Sequence, residues 1–477
     1  MNTNHVAAAI SLLACPALAS GQAQQHHLDA TELAHGCWGD EQGHLSGGRF
    51  LVPSLSDAQR EAFQGVQTRG GPDNRIDLVI VGDGYTANEM AQFHLDADTI
   101  AVDFFSYEPF ITYRPYFRVT KVEVVSNESG VDNDPSPGIS RDTAMDMQFW
   151  CGGTERLLCV NIGKAWTFAA GGGSPDVDQI LAIANSSKYG GAGYSSANVG
   201  TASGQNAASV EVAIHEMGHS LGDLADEYTY GGATSWPGGE PGSVNLSIYN
   251  SVQQVSLGTK WHLWMGESVA GFDNPVNTYE GGGYSEFGVY RPSNNSMMRS
   301  LYRPFNLPGA EKLIQEFYRE VSPLDQAPAN GAGFGPADTI SIVPMQPAGH
   351  NLTIEWSVDG GVVPAAAGSW DLDLGSLGLG GGAHTVQLRV VDDTPWVVDP
   401  GIRETFLTET RTYTVSAAGC GSVADINGDG LLDLTDIGLF VAAFISNDPD
   451  ADLADPIGVW DLADLSAFIS AFLDGCR

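Results

Sequence analysis

Residues 207–221 read AASVEVAIHEMGHSL, and the four-residue spacing of His215 and His219 is the strongest constraint on how this chain can fold. The stretch is rich in alanine and apolar on several faces, which predicts a buried helix. Residues four apart project from one helix face a turn apart, so both imidazoles can reach a single metal ion. Glu216 follows His215 directly, placed to touch a metal-activated water but not to ligate. Zinc lowers the pKa of such a water to about 7, and a carboxylate can take its proton as it attacks a peptide carbonyl. The plain alternative is a core helix with two incidental histidines, and this motif is rare by chance in a chain with 11 histidines.

Gly222 lies three residues beyond His219, where a turn with positive φ would end the helix and swing the chain back toward the metal. Three further on is Ala225, which cannot ligate, and then Asp226 and Glu227. A carboxylate, Asp226 or Glu227, is therefore the expected third ligand. Downstream, Asn294-Asn295-Ser296-Met297-Met298-Arg299 reads as a tight turn. A Met-Met pair is usually core packing. Metzincin peptidases, however, carry a glycine like Gly222, a third histidine where this chain has Ala225, and a methionine turn beneath the metal. Met298 is the residue expected in that turn.

The run His215-Glu216-x-x-His219-x-x-Gly222-x-Leu224-x-Asp226-Glu227-Tyr228 resembles the signature of the IgA-type metalloendopeptidases, or igalysins. The stretches IDLVIVGDGYT, from Ile76 to Thr86, and GVYRP, from Gly288 to Pro292, are similar to theirs. The resemblance covers about residues 75 to 325. It implies a metzincin-like α/β zinc endopeptidase domain, one catalytic zinc with Asp226 as third ligand, and a protein or peptide substrate. The family name reflects one substrate, and cleavage of immunoglobulin is not carried over.

Around this segment the expected fold class is α+β. Residues 24–74 are polar and without a strong period. Arg75 to Val81 (RIDLVIV) reads as a buried strand ended by Gly82-Asp83-Gly84, a helix is expected from about Thr86 to Phe105, and Tyr116 to Val125 reads as a second strand. Strand, helix, strand implies an α/β layer. The Gly82-Asp83-Gly84 turn lacks the third glycine and the downstream acid of a dinucleotide site. The peptidase-like domain is placed at 75–325. From about 330 to 418 short alternating runs such as LTIEW (Leu352–Trp356), HTVQLRVV (His384–Val391) and TRTYTV (Thr410–Val415) suggest an immunoglobulin-like β-sandwich, read as a spacer or accessory.

Residues 419–477 contain an internal repeat with a 28-residue offset: Asp433, Asp436, Phe440 and Phe444 recur as Asp461, Asp464, Phe468 and Phe472. The first copy carries an EF-hand-like loop with oxygen ligands expected from Asp425, Asn427, Asp429, the Leu431 carbonyl, Asp433 and Asp436, and Gly430 at the sharp turn. The second copy has Leu453 and Ile457 where the first has Asp425 and Asp429, so one good calcium site is expected and a second weak or absent. The duplication resembles a type I dockerin, a small all-α module, which implies a cohesin-like scaffold or cell-surface partner. The plain alternative is a compact tail stabilised by calcium and a disulfide.

The formal net charge of −37 argues against nucleic-acid binding, which needs a basic face. Val6 to Ala19 (VAAAISLLACPALA) is too short to span a bilayer and fits a cleavable export signal, with cleavage at 19 or as late as 23. Soluble secretion is expected in preference to lipid anchoring at Cys15, and no later segment reads as a membrane span. Export permits disulfides: Cys151 with Cys159, and Cys420 with Cys476, are the expected pairs, which leaves Cys37 unassigned. The functional expectation is a secreted zinc-dependent endopeptidase with Glu216 as general base. The rival is a calcium-dependent adhesion or scaffold-docking protein with an inert peptidase domain.

Overall fold

The computed structural model describes residues 74–172, 177–417, 421–428 and 432–475. The expected leader with Cys15, then Cys37, the Cys420–Cys476 pair and the calcium-loop positions Asp429, Gly430 and Leu431 lie outside the described residues.

The apolar run after Arg75 forms β1 (Ile76–Asp83), and every residue of it is buried. A strand covered on both faces belongs inside a mainly parallel sheet. β1 indeed runs parallel between β2 (Phe117–Val122) and β3 (Gln179–Ala184). With β4 (Gly191–Tyr194) and β5 (Val199–Ser203) the sheet order is β2-β1-β3-β5-β4, and only the edge strand β4 is antiparallel to its neighbour. Alternation along β1 feeds two cores. Ile76, Leu78 and Ile80 pack with Phe93, Ala97 and Ile100 of α1 (Met90–Asp103) and with Val212, Ala213 and Met217 of a later helix, while Val79 and Val81 pack with Ala165 and Ala169 of α2 (Ile162–Gly171). That later helix is α3 (Ser209–Ser220), so one sheet face carries the two histidines.

The Gly82-Asp83-Gly84 turn serves structure. The buried Asp83 carboxylate accepts from the Ser126 and Thr143 hydroxyls and from the backbone N–H groups of Met145 and Met147. It thereby pins the long segment after β2 over the end of β1, and β2 stops at Val122, short of the expected Val125. Cys151 and Cys159 form the expected local disulfide within that segment. α4 (Ser251–Leu257), the hairpin of β6 (Tyr279–Gly282) and β7 (Ser285–Arg291), and α5 (Leu307–Glu320) follow. Leu313, Ile314 and Phe317 of α5 join the core that holds α3.

The next segment begins with β8 (Leu324–Gln326), β9 (Gly333–Phe334), β10 (Thr339–Ser341) and β11 (Val343–Pro344). β12 (Thr353–Val358), β13 (Gly361–Val362), β14 (Asp371–Asp373), β15 (Gly382–Val391) and β16 (Thr408–Ala417) complete it. One five-stranded sheet has the order β13-β12-β15-β16-β9, and β10–β14 and β8–β11 form separate pairs. Alternate residues Ile354, Trp356, Val386, Leu388, Val390, Tyr413 and Val415 share one core. A short helix, α6 (Pro400–Phe406), interrupts the β15–β16 connection. This unit is joined to the first through a buried seam and is no detached spacer. Met345, Val397 and Leu407 lie in the same core as Phe317. At the seam the buried Asp392 carboxylate accepts from the hydroxyls of Tyr113 at 2.6 Å and Tyr318 at 2.8 Å, and Nε2 of His350 stands 2.6 Å from it.

The repeated aspartates of the last segment stand at helix starts. Asp433 caps α7 (Leu434–Ser446) and Asp461 caps α8 (Leu462–Asp474), each in a reciprocal capping box with the aspartate three residues on, Asp436 or Asp464. Phe440 and Phe468 stack between the helices with centroids 4.1 Å apart. No helix among the described residues is long and apolar enough to cross a membrane.

Candidate metal centre

Two missing side chains let the sheet edge lie on α3. A Cβ on Gly191 would stand 3.0 Å from Oε1 of Glu216, and one on Gly193 would stand 2.7 Å from both the Glu216 carbonyl and Cβ of His219. β4 therefore rests directly over the part of the helix that carries Glu216 and His219. From the opposite side a turn at Ser296–Arg299 closes beneath the helix, and a Cβ on Gly218 would lie 2.5 Å from Sδ of Met298. Met298, the methionine expected in this turn, is buried at that contact.

The helix exit differs from the expectation. The left-handed residue is Asp223, at φ 48°, and Gly222 does not have positive φ. Gly222 is small for a packing reason: a Cβ there would meet the Gly218 carbonyl at 2.8 Å and Cδ2 of Leu313 at 2.9 Å. The chain then brings the Leu224 carbonyl to Nδ1 of His219 at 2.6 Å, and Asp226 to the histidine pair.

His215, Glu216, His219 and Asp226 are all buried. Nε2 of His215 lies 3.1 Å from Nε2 of His219 and 3.1 Å from Oδ1 of Asp226, and Nε2 of His219 lies 3.2 Å from that oxygen. A carbonyl can only accept, so Nδ1 of His215, 2.9 Å from the Met297 carbonyl, and Nδ1 of His219 both carry their protons there. That tautomer leaves both Nε2 atoms as acceptors, converging with a carboxylate oxygen. Three acceptors at these separations repel one another unless a cation sits among them, and two imidazoles with one carboxylate form a donor set suited to zinc. The residues fit a metal. Burial disfavours a protonated His215, yet the Asp226 hydrogen bond and the Glu216 and Asp226 charges outweigh it and raise the imidazole pKa, so the pocket favours positive charge.

The two carboxylates after the turn divide their work. The other oxygen of Asp226 accepts from the Tyr284 hydroxyl at 2.6 Å. Burial and then the Asp226 charge hold the Tyr284 phenol above its ordinary range, so it stays protonated. Glu227 turns away, accepting from the Asn245 amide at 2.9 Å, the Asn306 amide at 2.8 Å and the Ser296 hydroxyl at 2.7 Å. It thus ties the methionine turn to the start of α5, and burial raises its pKa against those bonds. Tyr284 was not a sequence candidate; its one local signal is a tyrosine directly after Gly281-Gly282-Gly283 in a hairpin turn.

Of the expected calcium positions, Asp425, Asn427, Asp433 and Asp436 are among the described residues, and Asp433 and Asp436 form the capping box of α7. Asp436 reaches back to accept from the backbone N–H groups of Ile426 at 3.0 Å, Asn427 at 3.4 Å and Asp433 at 3.0 Å. Asp464 makes the matching bonds to Leu453, Ala454 and Asp461 in the second copy, which has Leu453 and Ile457 where the first has Asp425 and Asp429.

Residues 65–272 match the family model described as IgA Peptidase M64. That stretch contains the His215-to-Asp226 site and supports a peptidase, one whose family relatives use a metal. A comparison with curated proteins finds no match.

Proposed function

We propose that this chain is a secreted zinc metalloendopeptidase. The observation that carries the reading is the triangle of Nε2 of His215, Nε2 of His219 and Oδ1 of Asp226, three acceptors held at 3.1–3.2 Å by backbone carbonyls and Tyr284. These three residues would hold the ion. A bound zinc ion supplies Lewis-acid polarisation of a peptide carbonyl and lowers the pKa of water nearby.

Glu216 acts as the general base. Its carboxylate lies under β4 beside the histidines, where it takes a proton from the attacking water and returns it to the leaving amine nitrogen. The buried position strengthens each electrostatic interaction with the reacting atoms. Met298 packs under the helix and keeps the ligand spacing. In the last segment, calcium is assigned to the loop of Asp425, Asn427, Asp429, Leu431, Asp433 and Asp436, and a cohesin-like partner to the paired helices. The leader at Val6–Ala19 would export the chain.

The test is metal content by emission spectrometry beside cleavage of a mixed peptide library. The reading expects one zinc per chain at the site, cleavage abolished by a zinc chelator, and recovery on adding zinc back. Cleavage that survives complete removal of the metal would defeat it.

A further inference from the structure

The hairpin of β6 and β7 turns through Gly283 and Tyr284, both with positive φ, 53° and 67°. A two-residue turn of this hand is built for glycine or asparagine. A bulky aromatic with positive φ is an outlier, and such strain persists where the surrounding structure holds it in place, commonly at functional sites. Here backbone hydrogen bonds and ring contacts hold the half-buried Tyr284 in place. The Gly283 N–H donates to the Asp226 carbonyl at 2.8 Å and the Tyr284 N–H to the Tyr228 carbonyl at 3.0 Å, so the turn is stitched to the ligand-bearing segment. The Tyr230 ring stacks on Tyr284 with centroids 5.0 Å apart and planes 11° apart, and the buried Tyr228 ring meets it at 5.3 Å. Nη2 of Arg156 donates to both the Tyr230 hydroxyl at 2.9 Å and the Tyr228 hydroxyl at 3.3 Å. Behind the hairpin, Nη1 of the buried Arg291 donates to the carbonyls of Glu280 and Gly281.

Resting on the metal-site reading above, we infer that Tyr284 is a positioning residue: its hydroxyl holds Oδ2 of Asp226 at 2.6 Å so that Oδ1 faces both Nε2 atoms. A carboxylate on a short side chain can rotate, and a ligand whose second oxygen is tied down loses that freedom before the metal arrives. Groups that orient a ligand in this way are worth about 10–100-fold in metal affinity. The strained turn is the means by which a hydroxyl from a separate hairpin reaches the ligand at that angle.

The experiment measures zinc dissociation constants of the full chain by competition with a chromophoric chelator, alongside thermal melting of the metal-free protein. Tyr284→Phe keeps the ring and its stack and removes only the hydroxyl. Its zinc dissociation constant is expected to rise about 10–100-fold, with the metal-free midpoint unchanged. A wild-type constant overturns the role. Should the metal-free midpoint fall as well, the Asp226→Ala background decides: Tyr284→Phe added there should weaken zinc no further, and an undiminished second loss overturns the role. His215→Ala is the control for the underlying reading. If it retains zinc like wild type, the metal-site assignment itself is wrong and this inference falls with it. If His215→Ala loses zinc and Tyr284→Phe does not, only the positioning role is lost.

Discussion

The sulfur of Met298 lies beside Gly218 where a side chain would otherwise begin, 2.5 Å from the position a Cβ would take. One residue earlier, the Met297 carbonyl accepts from Nδ1 of His215, so the same turn packs the helix and sets the histidine tautomer. Gly218→Ala should force the two apart and destabilise the fold by about 1–3 kcal/mol, the usual cost of overfilling a packed core. Met298→Ala should cost about 2–5 kcal/mol through the cavity it leaves. Because the added and removed atoms share one space, the double variant should lose clearly less than the sum in denaturant melts. Strict additivity would show that the contact does not matter.

Asp226 and Glu227 are adjacent and both buried, but they should fail differently. Asp226→Ala removes the proposed third ligand, so the protein should fold and bind zinc poorly. Glu227→Ala strands the buried donors of Asn245, Asn306 and Ser296, at about 1–3 kcal/mol for each group left unsatisfied. It should melt at lower temperature yet keep most of its zinc while folded. Zinc analysis and calorimetry on the pair separate the outcomes, and the opposite pattern would move the ligand role to Glu227.

The seam between the two larger units should respond to pH. Burial disfavours a charged His350, but hydrogen bonding and charge from Asp392, with Asp393 and Glu108 nearby, raise its pKa above 6.5. Burial likewise opposes a charged Asp392, but His350, Tyr113 and Tyr318 hold its pKa below 3.8. A raised histidine contributes stability that is fully present below its unfolded value and fades as pH rises through the folded one; a lowered aspartate contributes above its unfolded value and fades as pH falls. The pair thus acts fully between about pH 4 and 6.5. His350→Gln should lower the melting temperature more at pH 5.5 than at pH 8.5. Equal losses at both would show that the charge on His350 contributes nothing.

Local pattern made much of this legible. His215 and His219 had to share a helix face, β1 had to be buried on both sides, and the 28-residue offset of the last segment predicts two like units. What stayed hidden depends on contacts distant in the chain. Gly222 looked like a turn glycine, yet it is small because Leu313 of α5 and the Gly218 carbonyl crowd it, and the turn falls on Asp223. Tyr284 reaches Asp226 across 58 positions. Asp392 meets Tyr113 across 279, which no periodicity reports, so a segment that reads as a spacer is part of the main core.

The most direct test of the central claim is Glu216→Gln, measured for zinc content and turnover on the same preparation. The substitution keeps size and hydrogen-bonding reach and removes the base, while His215, His219 and Asp226 are untouched. Zinc should remain stoichiometric and turnover should fall by roughly 10²–10⁴-fold, the usual worth of general acid–base catalysis. His215→Ala, run beside it, should lose metal and activity together. A Glu216→Gln enzyme that holds zinc and cleaves as fast as wild type would contradict the account.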